Sequence, residues 1–350
     1  MSRELMLFIF LGGSLLLFSG CIAKESEGGS PIGMIGINEG KIAYESDDFI
    51  HVVNPDGTDE KRLSEGDYPK WSPDGKKIAV FTNCNFELWV MNSDGSEKIN
   101  LLDTGDCPYY HPSINEFSWV SNEKISFSSS RDCYLCDWLC QNEISGYTNI
   151  GTINSDGSTL RWLTNSTAPK KTEMGYECEE RVRNSNPVIS PDGIKIAYSS
   201  DNKLLLMNLD GSGKTSILPQ DPLLKGGNIA SSSWSPDGKK IVFGQYGNGI
   251  FIIDSDGKNL LKLTEGENPL WTPDGRKILY YEHGGYGLNL INPDGTNKKE
   301  LSGGDKRCPP SFSPDGKKFV IGKNSEVWIV NLDGTGEKNI VKGDCPSWSP

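Results

Sequence analysis

The strongest constraint on this 350-residue chain is a four-residue turn, Asn/Asp-x-Asp-Gly, that it repeats seven times. In such a turn the Asp side chain bonds nearby backbone and the Gly takes the positive φ that closes a hairpin. Hairpin turns that recur between short apolar runs predict an all-β chain built from repeated units. The seven turns are Asn54–Gly57, Asn92–Gly95, Asn154–Gly157, Asn208–Gly211, Asp254–Gly257, Asn292–Gly295 and Asn331–Gly334.

A second turn, Ser/Thr-Pro-Asp-Gly, alternates with the first and divides each unit into four strands. The unit Tyr68–Leu102 shows the whole pattern, and the chain enters the pattern at Lys41–Tyr44, which reads as a second strand. Pro346–Ser349 supplies the missing first strand, so the two ends meet in one unit. Four-stranded units of this period predict a seven-bladed β-propeller over residues 33–350, with its ring closed by the C-terminal strand.

The segment Trp71-Ser72-Pro73-Asp74-Gly75-Lys76-Lys77-Ile78-Ala79, followed by an Asn-x-Asp-Gly turn, resembles the TolB-type β-propeller repeat, a WD40-like repeat also called PD40. The Ser/Thr-Pro-Asp-Gly turn recurs at Ser190–Gly193, Ser235–Gly238, Thr272–Gly275 and Ser313–Gly316. The resemblance implies seven antiparallel four-stranded blades, without the N-terminal domain that TolB itself carries.

Residues 1–20 have the pattern of an export signal, because Arg3 precedes the apolar run from Leu5 to Phe18. The segment Phe18–Cys21 resembles a lipoprotein signal-peptidase site, which implies lipidation of Cys21. Residues 21–32 read as a flexible polar tether. We therefore expect a protein anchored to the cell membrane by lipid alone and facing the periplasm or cell exterior. An ordinary cleaved signal or an uncleaved anchor remains the alternative.

Three insertions, Ser128–Tyr147, Asn165–Arg183 and Leu218–Ile229, all fall on the face opposite the short turns. Long loops on one face of a rigid scaffold often carry binding. The sequence therefore offers Tyr134, Trp138 and Tyr147 as candidate ligand contacts. The aromatic residues that recur in phase within the inner strands are instead expected to pack between blades. They are Trp71, Trp119, Trp234, Trp271, Phe312 and Trp348.

Eight cysteines besides Cys21 map to the same loop-bearing face, and an even count in an exported chain predicts disulfides. Cys308 and Cys345 precede inner strands of adjacent blades, so we expect their bond to fasten the ring closure. The others are Cys84 and Cys107, in neighbouring loops, and Cys133, Cys136, Cys140 and Cys178. The spacing of the last four also suits a metal site, which stays open as an alternative to disulfides.

A Gly-acid pair precedes five inner strands and predicts a rim of carboxylates at the channel mouth. The acids are Asp67, Asp106, Glu267, Asp305 and Asp344. Converging like charges would attract a cation or a basic peptide segment. The alternative is that each pair merely turns the chain in solvent.

A net charge of −12 disfavours nucleic acid as a partner, and the three histidines form no recognisable catalytic motif. We expect a monomeric, non-catalytic scaffold that binds a protein or a cell-envelope component. We expect no cofactor, apart from a cation at the mouth. The rival hypothesis is an enzyme, since propellers that cleave acidic polysaccharides in a lyase-like reaction carry similar repeats.

Overall fold

The repeats fold into seven four-stranded antiparallel sheets arranged as a seven-bladed β-propeller. This computed structural model describes residues 40–82, 87–102, 112–133, 144–164, 170–172, 175–177, 183–224, 227–285 and 287–350. Within these ranges the chain forms strands and turns, without helices. None of the described segments therefore provides a helix of the length and apolarity needed to cross a membrane.

Each blade is numbered by its order along the chain, and its strands run outward from the central channel. Blade 1 contains β1 (Ile42–Ser46), β2 (Phe49–Val53), β3 (Lys61–Glu65) and, innermost, the last strand of the chain. Blade 2 contains β4 (Asp67–Trp71), β5 (Lys77–Thr82), β6 (Glu87–Asn92) and β7 (Ile99–Asn100). Blade 3 contains β8 (Pro112–Ser121), β9 (Lys124–Cys133), β10 (Ile144–Asn154) and β11 (Arg161–Trp162). Blade 4 contains β14 (Asn184–Ile189), β15 (Lys195–Ser200), β16 (Lys203–Asn208) and β17 (Thr215–Ser216). A separate hairpin comprises β12 (Lys170–Thr172) and β13 (Gly175–Glu177).

Blades 5 to 7 repeat the same order. Blade 5 contains β18 (Ile229–Trp234), β19 (Lys240–Gln245), β20 (Gly249–Asp254) and β21 (Leu261–Thr264). Blade 6 contains β22 (Glu267–Trp271), β23 (Ile278–Tyr281), β24 (Gly287–Ile291) and β25 (Lys299–Gly303). Blade 7 contains β26 (Ser311–Phe312), β27 (Lys318–Lys323), β28 (Glu326–Asn331) and β29 (Lys338–Lys342). The last strand, β30 (Asp344–Trp348), returns to complete blade 1.

The ring closes as the sequence predicts, because β30 pairs with β1. Ile42 lies opposite Trp348, and Ser349 N donates to Lys41 O at 2.7 Å. Lys41 N in turn donates to the Ser349 hydroxyl at 2.7 Å. The first blade is therefore built from both ends of the propeller.

The described side chains form seven buried core clusters, and each lies between two consecutive blades. Strand side chains alternate between the two faces of a sheet. In β5, Ile78 and Val80 therefore pack against blade 1, whereas Ala79 and Phe81 pack against blade 3. A strand buried on both faces has to be apolar throughout, which explains runs such as Lys77-Ile78-Ala79-Val80-Phe81.

The in-phase aromatic residues belong to these interfaces, as predicted. Trp71, Trp234, Trp271 and Trp348 are all at most 8% exposed, whereas Trp119 and Phe312 are partly buried. Several indoles also bond the inner strand of the preceding blade. Trp71 Nε1 donates to Ser347 O at 3.0 Å, Trp119 Nε1 to Lys70 O at 2.9 Å and Trp234 Nε1 to Val188 O at 3.2 Å. The aromatic repeat thus joins consecutive blades.

The insertion predicted at Ser128–Tyr147 begins as an extension of the blade. Strand β9 continues to Cys133 and β10 starts at Ile144, so residues at both ends of this segment pair with each other. The strands on either side of the predicted loop therefore extend further into it than the sequence indicated. The pairing carries blade 3 well beyond the length of its neighbours on this face.

Candidate functional site at the mouth of the channel

The inner strands begin at the loop-bearing face and run toward the short turns. Each reaches a bulky residue just before the turn into the second strand of the blade: Trp71, Trp119, Ile189, Trp234, Trp271, Phe312 or Trp348. Positions are counted back from that residue, so that position −4 is nearest the mouth. Asp67, Glu267 and Asp344 all occupy position −4, whereas Asp305 lies three residues further from its strand.

The glycine of each Gly-acid pair is required by its backbone. Gly66, Gly266 and Gly343 have φ values of 149°, 150° and 149°. This region is nearly restricted to glycine. A Cβ at Gly343 would lie 2.6 Å from Glu45 O and would overlap the Tyr44 ring. The pair therefore does turn the chain, as the alternative held, and the same turn fixes the acid at the start of the inner strand.

A bulge lies at position −3 in four blades, and in three of them it directly follows the acid. Tyr68, Asn186, Asn268 and Cys345 occupy position −3 with φ between 48° and 54°, and the register of the strand shifts at each. Left-handed backbone at non-glycine residues is uncommon and is held by the surrounding structure. In blades 4 and 6 the Asn side chain reaches the next blade, since Asn186 Nδ2 bonds Ile229 O and Asn268 Nδ2 bonds Lys306 O.

Two of the predicted rim acids are neutralised by neighbouring cations. Glu267 forms an ion pair with Lys306 at 2.8 Å, and Asp305 forms a bidentate pair with Arg307. The Arg307 side chain holds the pKa of Asp305 below its usual range. These two positions are therefore not open anionic sites of the kind that the sequence suggested.

The other two described acids, Asp67 and Asp344, meet Glu45 from β1. The pKa of Glu45 is raised to about 7, mainly by burial and then by the charges of three neighbours, Asp67, Asp344 and Asp48. Burial and the Asp48 carboxylate also raise the pKa of Asp67. We call Glu45, Asp48, Asp67 and Asp344 the mouth cluster. Its carboxylates repel one another, and at Asp344 this repulsion is partly offset by Arg307, the partner of Asp305.

Sequence reasoning missed Glu45 and Asp48 because neither follows a repeated pattern. Glu45 faces Asp344 across the closing pair of strands, so the two meet only when the ring is shut. Tyr68 borders the same cluster, and its pKa is raised by burial and by the Glu45 charge. Arg307 opposes this effect on Tyr68. Glu45 could be recognised from the sequence only if the pairing of β30 with β1 were already known.

Deeper in the channel, Lys70 of β4 reaches across to blade 3. Its ammonium donates to Phe117 O at 2.6 Å and lies 4.8 Å from the centre of the Phe117 ring. Burial lowers the pKa of Lys70. Burial raises the pKa of the adjacent Glu116 to about 7, against the opposing effect of Lys70. Both side chains are partly exposed, as expected for groups that line a channel.

A cavity of about 480 Å³ opens beside these groups along blades 7, 1, 2 and 3. Its wall includes Tyr68, Pro69, Lys70, Trp119, Phe312 and Pro346. Mostly apolar walls with a few polar groups are typical of ligand sites. The mouth cluster, Lys70 and this cavity together form the candidate site.

Cys308 and Cys345 form a disulfide with a Cα–Cα distance of 4.8 Å. The bond joins blade 7 to β30, which lie 37 residues apart. It therefore holds the closing strand against its neighbour, whereas the contact between β30 and β1 remains non-covalent. The bond therefore fastens the closing strand to blade 7 only, and the ring closure against β1 depends on strand pairing.

Several sequence-predicted residues lie outside the described part of the chain. They are Cys21, Cys84, Asp106, Cys107, Tyr134, Cys136, Trp138, Cys140 and Cys178. Cys133 and Tyr147 are placed on β9 and β10, of which only the backbone is described there. Among the described side chains, no three histidine, cysteine or acidic groups are arranged to hold a metal ion.

No family model matches the chain. Over 76 residues it is 34% identical to the Tol-Pal system protein TolB of Zymomonas mobilis, which covers 19% of this chain and 17% of that protein. The chain thus matches less than a fifth of the curated relative. The match supports the predicted resemblance of the repeats to a TolB-like β-propeller family.

Two solved lyases share the fold. An oligogalacturonate lyase in complex with manganese superposes with a TM-score of 0.57 at 14% identity, over 78% of each chain. The oligogalacturonate lyase of Vibrio parahaemolyticus gives a TM-score of 0.57 at 11% identity, over 82% of this chain and 84% of its own. At such identities the likeness concerns the fold alone. The protein is therefore a seven-bladed propeller with TolB-like repeats.

Proposed function

We propose that the protein is a lipid-anchored extracytoplasmic scaffold that binds a basic segment of a protein or cell-envelope component without catalysing a reaction. The observation that carries this proposal is the mouth cluster. Carboxylates that repel one another in the free protein gain stabilisation when a cationic group enters among them. The adjoining cavity gives that group's apolar neighbours a place to pack.

Location outside the cytoplasm is supported by two features. The disulfide between Cys308 and Cys345 is of a kind that persists in oxidising compartments. Residues 1–20 carry the pattern of an export signal ahead of Cys21. Metabolic labelling with a fatty acid tests the anchor, because a Cys21→Ser variant would then lose the label.

Binding is tested with a tetralysine peptide at low ionic strength. The triple variant Glu45→Gln, Asp67→Asn, Asp344→Asn should lose at least about tenfold in affinity, equivalent to about 1.4 kcal/mol. A matched control replaces three exposed acids away from the mouth, Glu97, Glu123 and Glu300, by Gln. At about pH 8.5, where Glu45 is ionised, both triple variants remove three charges. Equal losses would then show that net charge alone attracts the peptide and would contradict the proposal.

The lyase-like alternative draws on the shared fold of the oligogalacturonate lyases. Incubation with polygalacturonate would release unsaturated products if this chain had such an activity. Release that survives in the triple variant of the mouth but is lost on Glu116→Gln would replace the scaffold proposal with an enzyme. We expect no product.

A further inference from the structure

Position −2 of the inner strands carries proline in five of the seven blades. The residues are Pro69, Pro187, Pro269, Pro310 and Pro346, and blades 3 and 5 have Phe117 and Ser232 instead. All five pyrrolidine rings are buried. The repeat is set two residues before the bulky residue, so it is visible in the sequence once the inner strands are aligned.

The register of the strands directs the main chain at this position toward the channel. In six blades the residue after the bulky one donates its N–H to the second strand, as Ser72 N does to Lys77 O and Ser190 N does to Lys195 O. Main-chain groups alternate in direction along a strand. The N–H and C=O of the bulky residue and of position −2 therefore point away from the second strand, toward the axis.

Contacts made by the bulky residues support this direction. Trp271 N donates to the Ser233 hydroxyl and Trp348 N to the Ser311 hydroxyl, both on the preceding inner strand. At position −2 proline removes the N–H altogether. In these five blades the channel-facing edge thus presents carbonyl oxygens without the matching donors, which also prevents another strand from pairing there.

The chain itself shows what such a carbonyl binds. Phe117 occupies position −2 of blade 3, and its carbonyl accepts the Lys70 ammonium at 2.6 Å. Lys70 comes from position −1 of the preceding blade, where the other blades have Ser, Val or Leu. An ammonium group supplied from the side is therefore already seated on one member of this carbonyl set.

Three neighbouring members, Pro69, Pro310 and Pro346, line the cavity together with Trp119 and Phe312. Resting on the proposed function, we propose that these three carbonyls form a binding site for a primary alkylammonium group, carried either by a free polyamine or by a lysine of the partner. The ammonium would donate hydrogen bonds to the carbonyl oxygens, and the aromatic faces would attract its charge. The mouth cluster lies two residues nearer the loop-bearing face and would draw the cation inward.

The first measurement compares cadaverine with its bis(trimethylammonium) analogue on the intact protein by calorimetry at low salt. The two diamines share charge and length, but the quaternary groups cannot donate hydrogen bonds. Cadaverine should bind at least about tenfold more tightly, given the usual strength of charge-assisted hydrogen bonds. Equal affinities would overturn the proposal. A blocked pentapeptide with one central lysine, compared with cadaverine, separates a partner's side chain from a free polyamine as the preferred source.

A substitution can place an ammonium group of the protein itself in the proposed site. Ser347 lies at position −1 of blade 1, so in Ser347→Lys the new ammonium should reach Pro69 O as Lys70 reaches Phe117 O. This variant should lose cadaverine binding, whereas Ser347→Met, of similar length and no charge, should retain it. Retained binding in a folded Ser347→Lys protein would contradict the site. If that variant does not fold, the comparison of the two diamines still decides.

The same ligands distinguish failure here from failure of the proposed function. In the triple variant of the mouth cluster, cadaverine should bind more weakly and keep its preference over the quaternary analogue. If the triple variant loses tetralysine binding but neither protein prefers cadaverine over the quaternary analogue, the acidic mouth is supported as a binding site and the carbonyl site is contradicted.

Discussion

The carboxylates of the short turns and those of the mouth cluster behave in opposite ways. On the short-turn face, Asp94 accepts hydrogen bonds from Ser96 N at 2.9 Å and Ser96 Oγ at 2.6 Å, and these bonds lower its pKa. The same pattern recurs at Asp56, Asp156, Asp210, Asp294 and Asp333. At the mouth, burial and neighbouring carboxylates raise the pKa of Glu45 and Asp67.

The contrast separates acids that build the fold from acids that are free to bind. A carboxylate that already accepts two hydrogen bonds from its own turn has little to gain from a ligand. A carboxylate packed against other carboxylates is destabilised until a cation arrives. The repeated Asp-Gly turns therefore mark acids that build the fold, whereas the mouth cluster combines two acids of the Gly-acid repeat, Asp67 and Asp344, with two that no repeat indicates, Glu45 and Asp48.

The largest expected effect concerns the covalent link on the mouth side. Replacing Cys308 and Cys345 together by Ser removes a bond that closes a loop of 37 residues. Loop-closure entropy predicts a loss of about 4 kcal/mol in the free energy of unfolding. Urea denaturation of the double variant measures this loss. A control on the oxidised protein with and without reductant should reproduce it, and an unchanged midpoint would mean that packing alone holds β30 to blade 7.

Replacing a glycine by alanine should lower the free energy of unfolding more on the mouth side than in a short turn. Gly343→Ala forces a side chain into a φ of 149° and against Glu45 O and the Tyr44 ring, so we expect a loss of about 3 kcal/mol. Gly193, in a short turn, has a φ of 71° and open space around it, so Gly193→Ala should cost about 1 kcal/mol. Thermal unfolding of the pair checks this order, which equal shifts in Tm would contradict.

Glu45→Gln should stabilise the protein above neutral pH. The native pKa of about 7 exceeds the ordinary value of 4.5, so the folded state binds this proton more tightly. The resulting stabilisation is full below about pH 4.5 and is lost as the pH rises through about 7. Allowing for solvent screening of a half-buried group, we expect a gain of about 1 kcal/mol at pH 8.

The measurement is urea denaturation between about pH 5.5 and pH 8, above the range in which the turn aspartates take up protons. Wild-type stability should fall across this window, and the fall should be smaller in Glu45→Gln. Glu116, whose pKa is also raised to about 7, accounts for part of the slope that remains. A Glu97→Gln control should follow the wild type, and an identical slope in Glu45→Gln would show that the mouth cluster is not strained.

The smallest effect is expected in the short turns. Because the pKa of Asp94 is lowered, its contribution to stability is present at neutral pH and is lost as the pH falls through the native pKa. Asp94→Asn should therefore be slightly destabilising at pH 7 and close to neutral in acid. A gain in stability at pH 7 would reverse the distinction between the two faces.

Much of the fold follows from local pattern. The Asp-Gly turns, the alternation of Ile78 and Ala79 toward opposite blades, and the phase of Trp71 and Trp348 are all set by neighbours in the sequence. The Gly-acid pairs were also visible, but their electrostatic state was not. Asp305 and Glu267 are paired with Arg307 and Lys306, whose side chains could have turned either way in an isolated segment.

The sequence by itself determined the number of blades, the identity of the closing strand and the two faces. These depend on turn chemistry and on a period of two along each strand, both of which are local. Only the tertiary structure decided which charges meet. Glu45 and Asp344 come from opposite ends of the propeller and are brought together by ring closure, and the proline carbonyls share a cavity only because the inner strands converge on one axis.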